Sequence, residues 1–66
     1  MKLTVNGKPV ELPDGSTVTA LLAQLAVEPA RVAIERNQDV VPRRTWGDVR
    51  LADGDQIEIV TFVGGG

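Results

Sequence analysis

The chain has 66 residues and a formal net charge of −2, and it contains neither cysteine nor histidine. A domain of this size buries only about 60% of its unfolded surface, so it has no room for an enclosed active site. The missing residue types rule out a disulfide frame and a thiolate nucleophile, and they remove the commonest general base and metal ligand. The sequence therefore predicts a protein that is not itself an enzyme, with no bound cofactor and no metal site.

Charge and hydropathy argue against two classes of partner. The isoelectric point is near 4.8 and the seven basic residues are spread along the chain, which does not suit binding to a phosphate backbone. No stretch approaches the roughly 18 apolar residues of a membrane span, and the first residues lack the apolar region of a signal peptide. We expect a cytoplasmic, soluble protein that binds neither nucleic acid nor a membrane.

The first elements read as a β-hairpin. Lys2 to Val5 alternates polar and apolar residues and leads into Asn6-Gly7, a dipeptide that favours a type I′ turn because both central residues need positive φ. A second strand follows at residues 9–12. One face of this hairpin is predicted to be apolar and carries Leu3, Val5, Val10 and Leu12.

An amphipathic helix is predicted next. Pro13-Asp14-Gly15 breaks the strand pattern, and Ser16 or Thr17 can cap the helix. Its apolar residues recur at i, i+3, i+4 and i+7, at Val18, Leu21, Leu22 and Leu25. Pro29 ends any continuation.

The second half of the chain returns to strands. Residues 31–35 have a strand pattern, residues 37–54 predict short strands and turns, and residues 56–63 form the strongest strand. The first strand is the natural parallel partner for this last one. The predicted fold class is α+β: a β-grasp (ubiquitin-like) mixed sheet of four to five strands with one main helix packed on one face.

Three consecutive glycines follow the last predicted strand. Glycine has no Cβ, so a chain of glycines can pass through a slot too narrow for side chains. Residues 63–66 would reach about 13 Å when extended. We expect a β-grasp domain over residues 1–63 and a flexible glycine tail over 64–66 that presents the Gly66 carboxylate, although frayed ends are common at termini.

Several short pieces of the sequence are informative in combination: Asn6-Gly7, Gly15 with Thr17-Val18, Leu21-Leu22, Ala33 with Asn37, Val41-Pro42-Arg43 with Trp46, Asp53-Gly54-Asp55-Gln56-Ile57 and Phe62-Val63-Gly64-Gly65-Gly66. Each piece is weak alone, but their order and the length of the chain make the combination specific. Together they resemble the ThiS family, the sulfur-carrier proteins of thiamine biosynthesis.

This resemblance implies that the chain is a cosubstrate whose working group is the Gly66 carboxylate. A ThiF-like adenylyltransferase would adenylate that carboxylate with ATP and Mg²⁺, while Gly64 and Gly65 thread its active site. A sulfur donor such as a cysteine desulfurase would then convert the adenylate to a thiocarboxylate. A thiazole synthase of the ThiG kind would accept the sulfur.

The last strand also suggests where partners dock. With a period of two, Ile57 and Ile59 face one side, whereas Glu58, Val60 and Phe62 face the other. Apolar residues on both faces of a small domain indicate an interaction site, so Val60 and Phe62 are the docking candidates. The alternative is that residues 40–46, or a bulge, cover these two side chains.

Four other residues are assigned structural roles. Arg43 and Arg44 are expected on a solvated face, although they could steer the chain toward acidic partners. Asp55 is expected to serve a turn, and Trp46 to pack beneath a loop.

The sequence leaves three other functions open. The chain could carry sulfur for another pathway such as molybdopterin synthesis. It could instead be a ubiquitin-like modifier, joined through Gly66 to a lysine of a target protein. The third alternative is a noncatalytic interaction or RNA-binding module in which the tail is incidental.

Overall fold

The computed structural model describes residues 1–62. Within this range five strands form one mixed sheet with a single α-helix, as predicted. The elements are β1 (Lys2–Val5), β2 (Lys8–Glu11), α1 (Val18–Gln24), β3 (Val32–Arg36), β4 (Asp39–Val40) and β5 (Gln56–Thr61), with short 3₁₀ turns at Pro29–Arg31 and Arg43–Thr45. The strand order is β2-β1-β5-β3-β4, so the last strand lies at the centre of the sheet.

The first hairpin and the parallel pair at the centre of the sheet confirm the sequence prediction. Asn6 and Gly7 both have positive φ, at 50° and 81°, as a type I′ turn requires. β1 pairs antiparallel with β2 and parallel with β5, placing Val5 beside Ile57. The amino-terminal strand thus fixes the position of the carboxyl-terminal one.

The helix covers one face of the sheet and completes the core. Thr17 is the N-cap, and its Oγ1 accepts a hydrogen bond from the Ala20 N–H at 3.2 Å. Apolar side chains from the helix, the strands and the loop meet in one buried cluster: Leu3, Val5, Leu12, Val18, Leu21, Leu22, Val32, Ile34, Val41, Trp46, Leu51 and Ile57. Leu25 and Val10 are only partly buried at its edge.

The stretch between β3 and β5 contains less strand than its sequence predicts. Residues 49–51 form no strand; Arg50 makes only an isolated bridge with Thr17, because this segment follows the start of the helix instead of a sheet edge. Trp46 is 5% exposed and its Nε1–H donates to the Val41 carbonyl at 2.9 Å. The expectation that it packs beneath a loop is confirmed.

β5 ends at Thr61, two residues before the predicted end of the strand. Its partner β3 begins at Val32, which lies opposite Thr61, so the ladder has no further strand residue to pair with. The predicted boundary between residues 1–63 and 64–66 lies outside the described residues. Within residues 1–62, no helix is long and apolar enough to cross a membrane.

Candidate functional site

The candidate site begins where the described chain ends, at Phe62. Gly64, Gly65 and Gly66, the predicted tail, lie outside the described residues. The structure does describe the strand that leads to them, the sheet face beside it and the contacts that fix Phe62. These features surround Phe62, the last described residue before the predicted tail.

The two faces of β5 differ as the sequence predicts. Ile57 is 1% exposed and Ile59 packs at the edge of the core, on the helix side. Val60 and Phe62 point to the opposite face and are 50% and 53% exposed. The alternative that residues 40–46 cover them is wrong, because Val41 and Trp46 of that segment turn into the core.

Neighbouring strands extend this exposed surface, which we call the outer sheet face. Ala33 lies opposite Val60, and Glu35 lies between Glu58 on one side and Val40 on the other. The outer sheet face therefore combines apolar and acidic side chains: Ala33, Glu35, Val40, Glu58, Val60 and Phe62. With Val40 71% exposed, all three exposed large apolar side chains among the described residues belong to it.

Two like charges stand directly opposite each other on this face. Glu35 and Glu58 are cross-strand partners. Among residues 1–62 the ion pairs join the amino terminus to Asp14 and Arg36 to Asp55, so neither glutamate is neutralised by one. Facing carboxylates are destabilising, and the outer sheet face accordingly favours a positively charged neighbour.

A set of contacts around the 3₁₀ turn at Pro29–Arg31 holds the end of β5. The Phe62 N–H donates to the Arg31 carbonyl at 2.7 Å. Arg43 donates from Nη1 to the Pro29 carbonyl at 2.5 Å and from Nη2 to the Val32 carbonyl at 2.9 Å. These two carbonyls flank Arg31, so Arg43 fixes the segment to which Phe62 binds.

Arg43 and Arg44 are both exposed, as predicted, but Arg43 also makes specific main-chain contacts that a solvated side chain does not require. The Arg43 guanidinium also lies 4.4 Å from the centre of the Trp46 ring. The sequence held a signal for this contact, because residues three apart lie above one another in a 3₁₀ turn and an arginine over a tryptophan is attracted to its face. The sequence gave no such signal for the two carbonyls that Arg43 binds, those of Val32 and Pro29, which lie 11 and 14 positions away.

Asp55 is a second residue that does more than the sequence predicts, because it makes long-range contacts in addition to its role in a turn. It is buried, and its carboxylate accepts hydrogen bonds from the Ala52 N–H, the Asn37 amide and the Arg36 guanidinium at 2.8, 3.0 and 2.8 Å. Burial raises its pKa, but these hydrogen bonds and the Arg36 charge outweigh burial and hold the pKa below its ordinary value. Asp55 thus joins the β3–β4 turn to the start of β5.

No candidate metal centre arises from the acidic residues that the structure describes, since no three potential ligands come together there.

Comparison with known proteins identifies the family. The ThiS family profile matches residues 3–66. The sulfur carrier protein ThiS of Bacillus subtilis is 43% identical over 97% of this chain and 98% of its own length. A thiazole synthase of Paramagnetospirillum magneticum is 46% identical over the whole chain, but the chain spans only 20% of that protein's length.

A solved structure agrees with these sequence matches. The crystal structure of the thiamine biosynthesis protein ThiS from Geobacter metallireducens is 39% identical, covers both chains completely and superposes with a TM-score of 0.86. This similarity over the full length of both chains confirms the predicted β-grasp fold. The chain belongs to the ThiS family.

Proposed function

We propose that this protein is the sulfur carrier of thiazole formation in thiamine biosynthesis, and that it acts as a cosubstrate of its partner enzymes. The observation that carries the proposal is the end-to-end match with the Bacillus subtilis sulfur carrier. The similar segment of a thiazole synthase chain favours thiazole formation over another sulfur-requiring pathway such as molybdopterin synthesis.

The proposed chemistry takes place on the Gly66 carboxylate. A carboxylate is a poor electrophile, so a ThiF-like adenylyltransferase first joins it to AMP, using ATP and Mg²⁺ and releasing pyrophosphate. The terminal sulfur of a persulfide, supplied by a donor such as a cysteine desulfurase, displaces AMP and forms an acyl disulfide. A second thiol then attacks that disulfide, which leaves a donor disulfide and frees the thiocarboxylate.

The thiocarboxylate is the sulfur nucleophile delivered to the thiazole synthase. Gly64 and Gly65 would allow the main chain to pass into each partner's active site, because neither carries a side chain. The domain itself holds no cofactor in this scheme. Its contribution is to bind each partner and to aim the tail.

The outer sheet face supports a docking role because it includes Phe62, the last described residue before the predicted tail. Val60 and Phe62 offer exposed apolar area, while the facing carboxylates of Glu35 and Glu58 offer a complementary site for a basic side chain. Buried aromatic residues often dominate the binding energy of an interface. We assign Phe62 the largest share of partner affinity and Val60 a supporting share.

The test is the intact mass of the 66-residue chain after incubation with ATP, Mg²⁺, the adenylating partner and a persulfide donor. The expected gain equals the replacement of one oxygen by sulfur. Chain lacking Gly66 is the matched control and should gain nothing. An unchanged mass, with a partner shown to be active on another carrier, would contradict the proposal; recovery of lysine conjugates would instead favour a protein modifier.

A further inference from the structure

The 3₁₀ turn that accepts the hydrogen bond of Phe62, the residue just after β5, has little stability of its own. Pro29–Arg31 is a single 3₁₀ turn, and its N-cap residue Glu28 makes no side-chain capping bond. A short 3₁₀ turn has poorer hydrogen-bond geometry than an α-helix and needs outside support. Yet the Arg31 carbonyl in this turn accepts the bond from the Phe62 N–H.

Arg43 supplies the outside support. Its guanidinium donates to the carbonyls of Pro29 and Val32, one before and one after Arg31, and thereby sets the direction of the Arg31 carbonyl. A planar fork of donors suits this task, since two bonds from one rigid group fix orientation as well as distance.

The position of Arg43 is fixed in turn by the core. Its guanidinium stacks on Trp46, whose ring is buried and whose Nε1–H is bonded to the Val41 carbonyl. The connection therefore runs from a buried ring, through one guanidinium and the turn before β3, to the main chain at Phe62. No other side chain among residues 1–62 bonds the carbonyls of this turn.

From this connection we infer that Arg43 is a positioning residue for sulfur transfer: it sets the direction in which the chain leaves the domain at Phe62. The inference rests on the proposed function. A fixed exit lowers the entropy lost when a partner captures the chain, so the effect belongs to binding. Once the chain is seated, the carboxylate meets the same catalytic groups, and the turnover number should not change.

Steady-state kinetics of adenylation test this role, with Arg43→Gln compared against Arg44→Gln. Both variants remove one positive charge from the same turn, but only the first breaks the contacts to Pro29 and Val32. We expect about a two- to tenfold rise in the KM for the Arg43→Gln carrier with little change in kcat, and no such rise for Arg44→Gln. Equal KM values for the two variants would overturn the inference.

Two further measurements separate positioning from general stability. Leu3→Ala destabilises the core from β1, two strands away from β3 and the turn that precedes it, and a rise in KM as large as that of Arg43→Gln would overturn the inference. Amide exchange should accelerate selectively at Phe62 in Arg43→Gln, with Ile34 unaffected; unchanged exchange at Phe62 would also overturn it.

A third variant and the parent chain complete the design. If Arg43→Gln does not fold, Arg43→Lys replaces it, because lysine keeps the charge but lacks the planar fork; a parental KM would then count against the inference. If the parent chain gains no sulfur with an active partner, the proposed function is wrong, and this role of Arg43 is wrong with it. If the parent chain gains sulfur but the Arg43→Gln and Arg44→Gln variants have the same KM, only the inference about Arg43 is wrong.

Discussion

The side-chain amide of Asn6 binds both main-chain polar groups of Ile59, although the two residues are 53 positions apart in the sequence. Its Oδ1 accepts from the Ile59 N–H at 2.7 Å, and its Nδ2 donates to the Ile59 carbonyl at 3.2 Å. β1 ends at Val5, so the Asn6 side chain continues the pairing with β5 after the main chain has turned away. This contact secures the half of β5 that carries Val60.

Asn6→Gly should therefore lower the free energy of unfolding by about 0.5–1.5 kcal/mol, because it removes two exposed hydrogen bonds to Ile59 that water can only partly replace. Glycine accepts the φ of 50° found at this position, so backbone strain does not explain a loss. Urea denaturation provides the measurement. Asn6→Asp, which retains the acceptor and also tolerates positive φ, should lose less; equal stability of Asn6→Gly and the parent would contradict the assignment.

The lowered pKa of Asp55 predicts a specific dependence of stability on pH. A carboxyl group with a depressed folded-state pKa contributes stability that is complete above its unfolded pKa, about 3.9, and is lost as the pH falls through the folded pKa. At pH 7, Asp55→Asn should cost about 1–3 kcal/mol, since Arg36 and the Ala52 N–H lose a charged acceptor.

The difference in the free energy of unfolding between the parent and Asp55→Asn should shrink below about pH 3.9, because the side chain of Asp55 in the parent also becomes neutral there. Chemical denaturation at a series of pH values from 7 to 2 would show it, and the subtraction removes the contribution of the other carboxyl groups. A difference that stays constant over this range would show that the charge of Asp55 does not stabilise the fold.

Local patterns explain which parts of the fold were predictable. Asn6-Gly7, the helix at Val18 and the two faces of β5 all follow from spacings within a few residues, and each is found in the structure. The exposure of Val60 could not be predicted from its position in the strand alone, because it also depends on side chains of residues 40–46 turning into the core.

Roles that depend on distant partners could not be predicted in this way. Asp55 meets Arg36 across 19 positions, and Arg43 meets Pro29 across 14. Such contacts form only when the sheet brings β3 beside β5. No local spacing in the sequence indicates which residue Asp55 or Arg43 will contact. The long-range hydrogen bonds around the candidate site are therefore known only from the structure.

If partners dock on the outer sheet face, alanine substitutions there should weaken partner binding by different amounts. Phe62→Ala should weaken binding of the adenylating partner by more than about 1 kcal/mol, roughly fivefold or more, because an aromatic side chain beside the tail would be buried at the centre of the interface. Val60→Ala should cost less. Isothermal titration calorimetry with each variant would measure both.

Val40→Ala is the matched control for these truncations. Val40 is the third exposed apolar residue of this face, but it lies on the edge strand β4, two strands from β5. Its truncation should change affinity by less than about 0.5 kcal/mol, as expected for a peripheral contact. Unchanged affinity for Phe62→Ala with the fold retained would remove Phe62 from the interface.

Charge reversal at Glu58 should move stability and partner affinity in opposite directions. Glu58→Lys places opposite charges across β3 and β5 at Glu35, and it should raise the free energy of unfolding by about 0.2–1 kcal/mol. The same change should weaken the adenylating partner, because it removes the attraction for a basic side chain, and the loss should diminish as salt screens the charges. Thermal denaturation and titrations at low and high ionic strength test both effects. If Glu58→Lys binds as tightly as the parent at low salt, the facing carboxylates do not recognise a basic group on that partner.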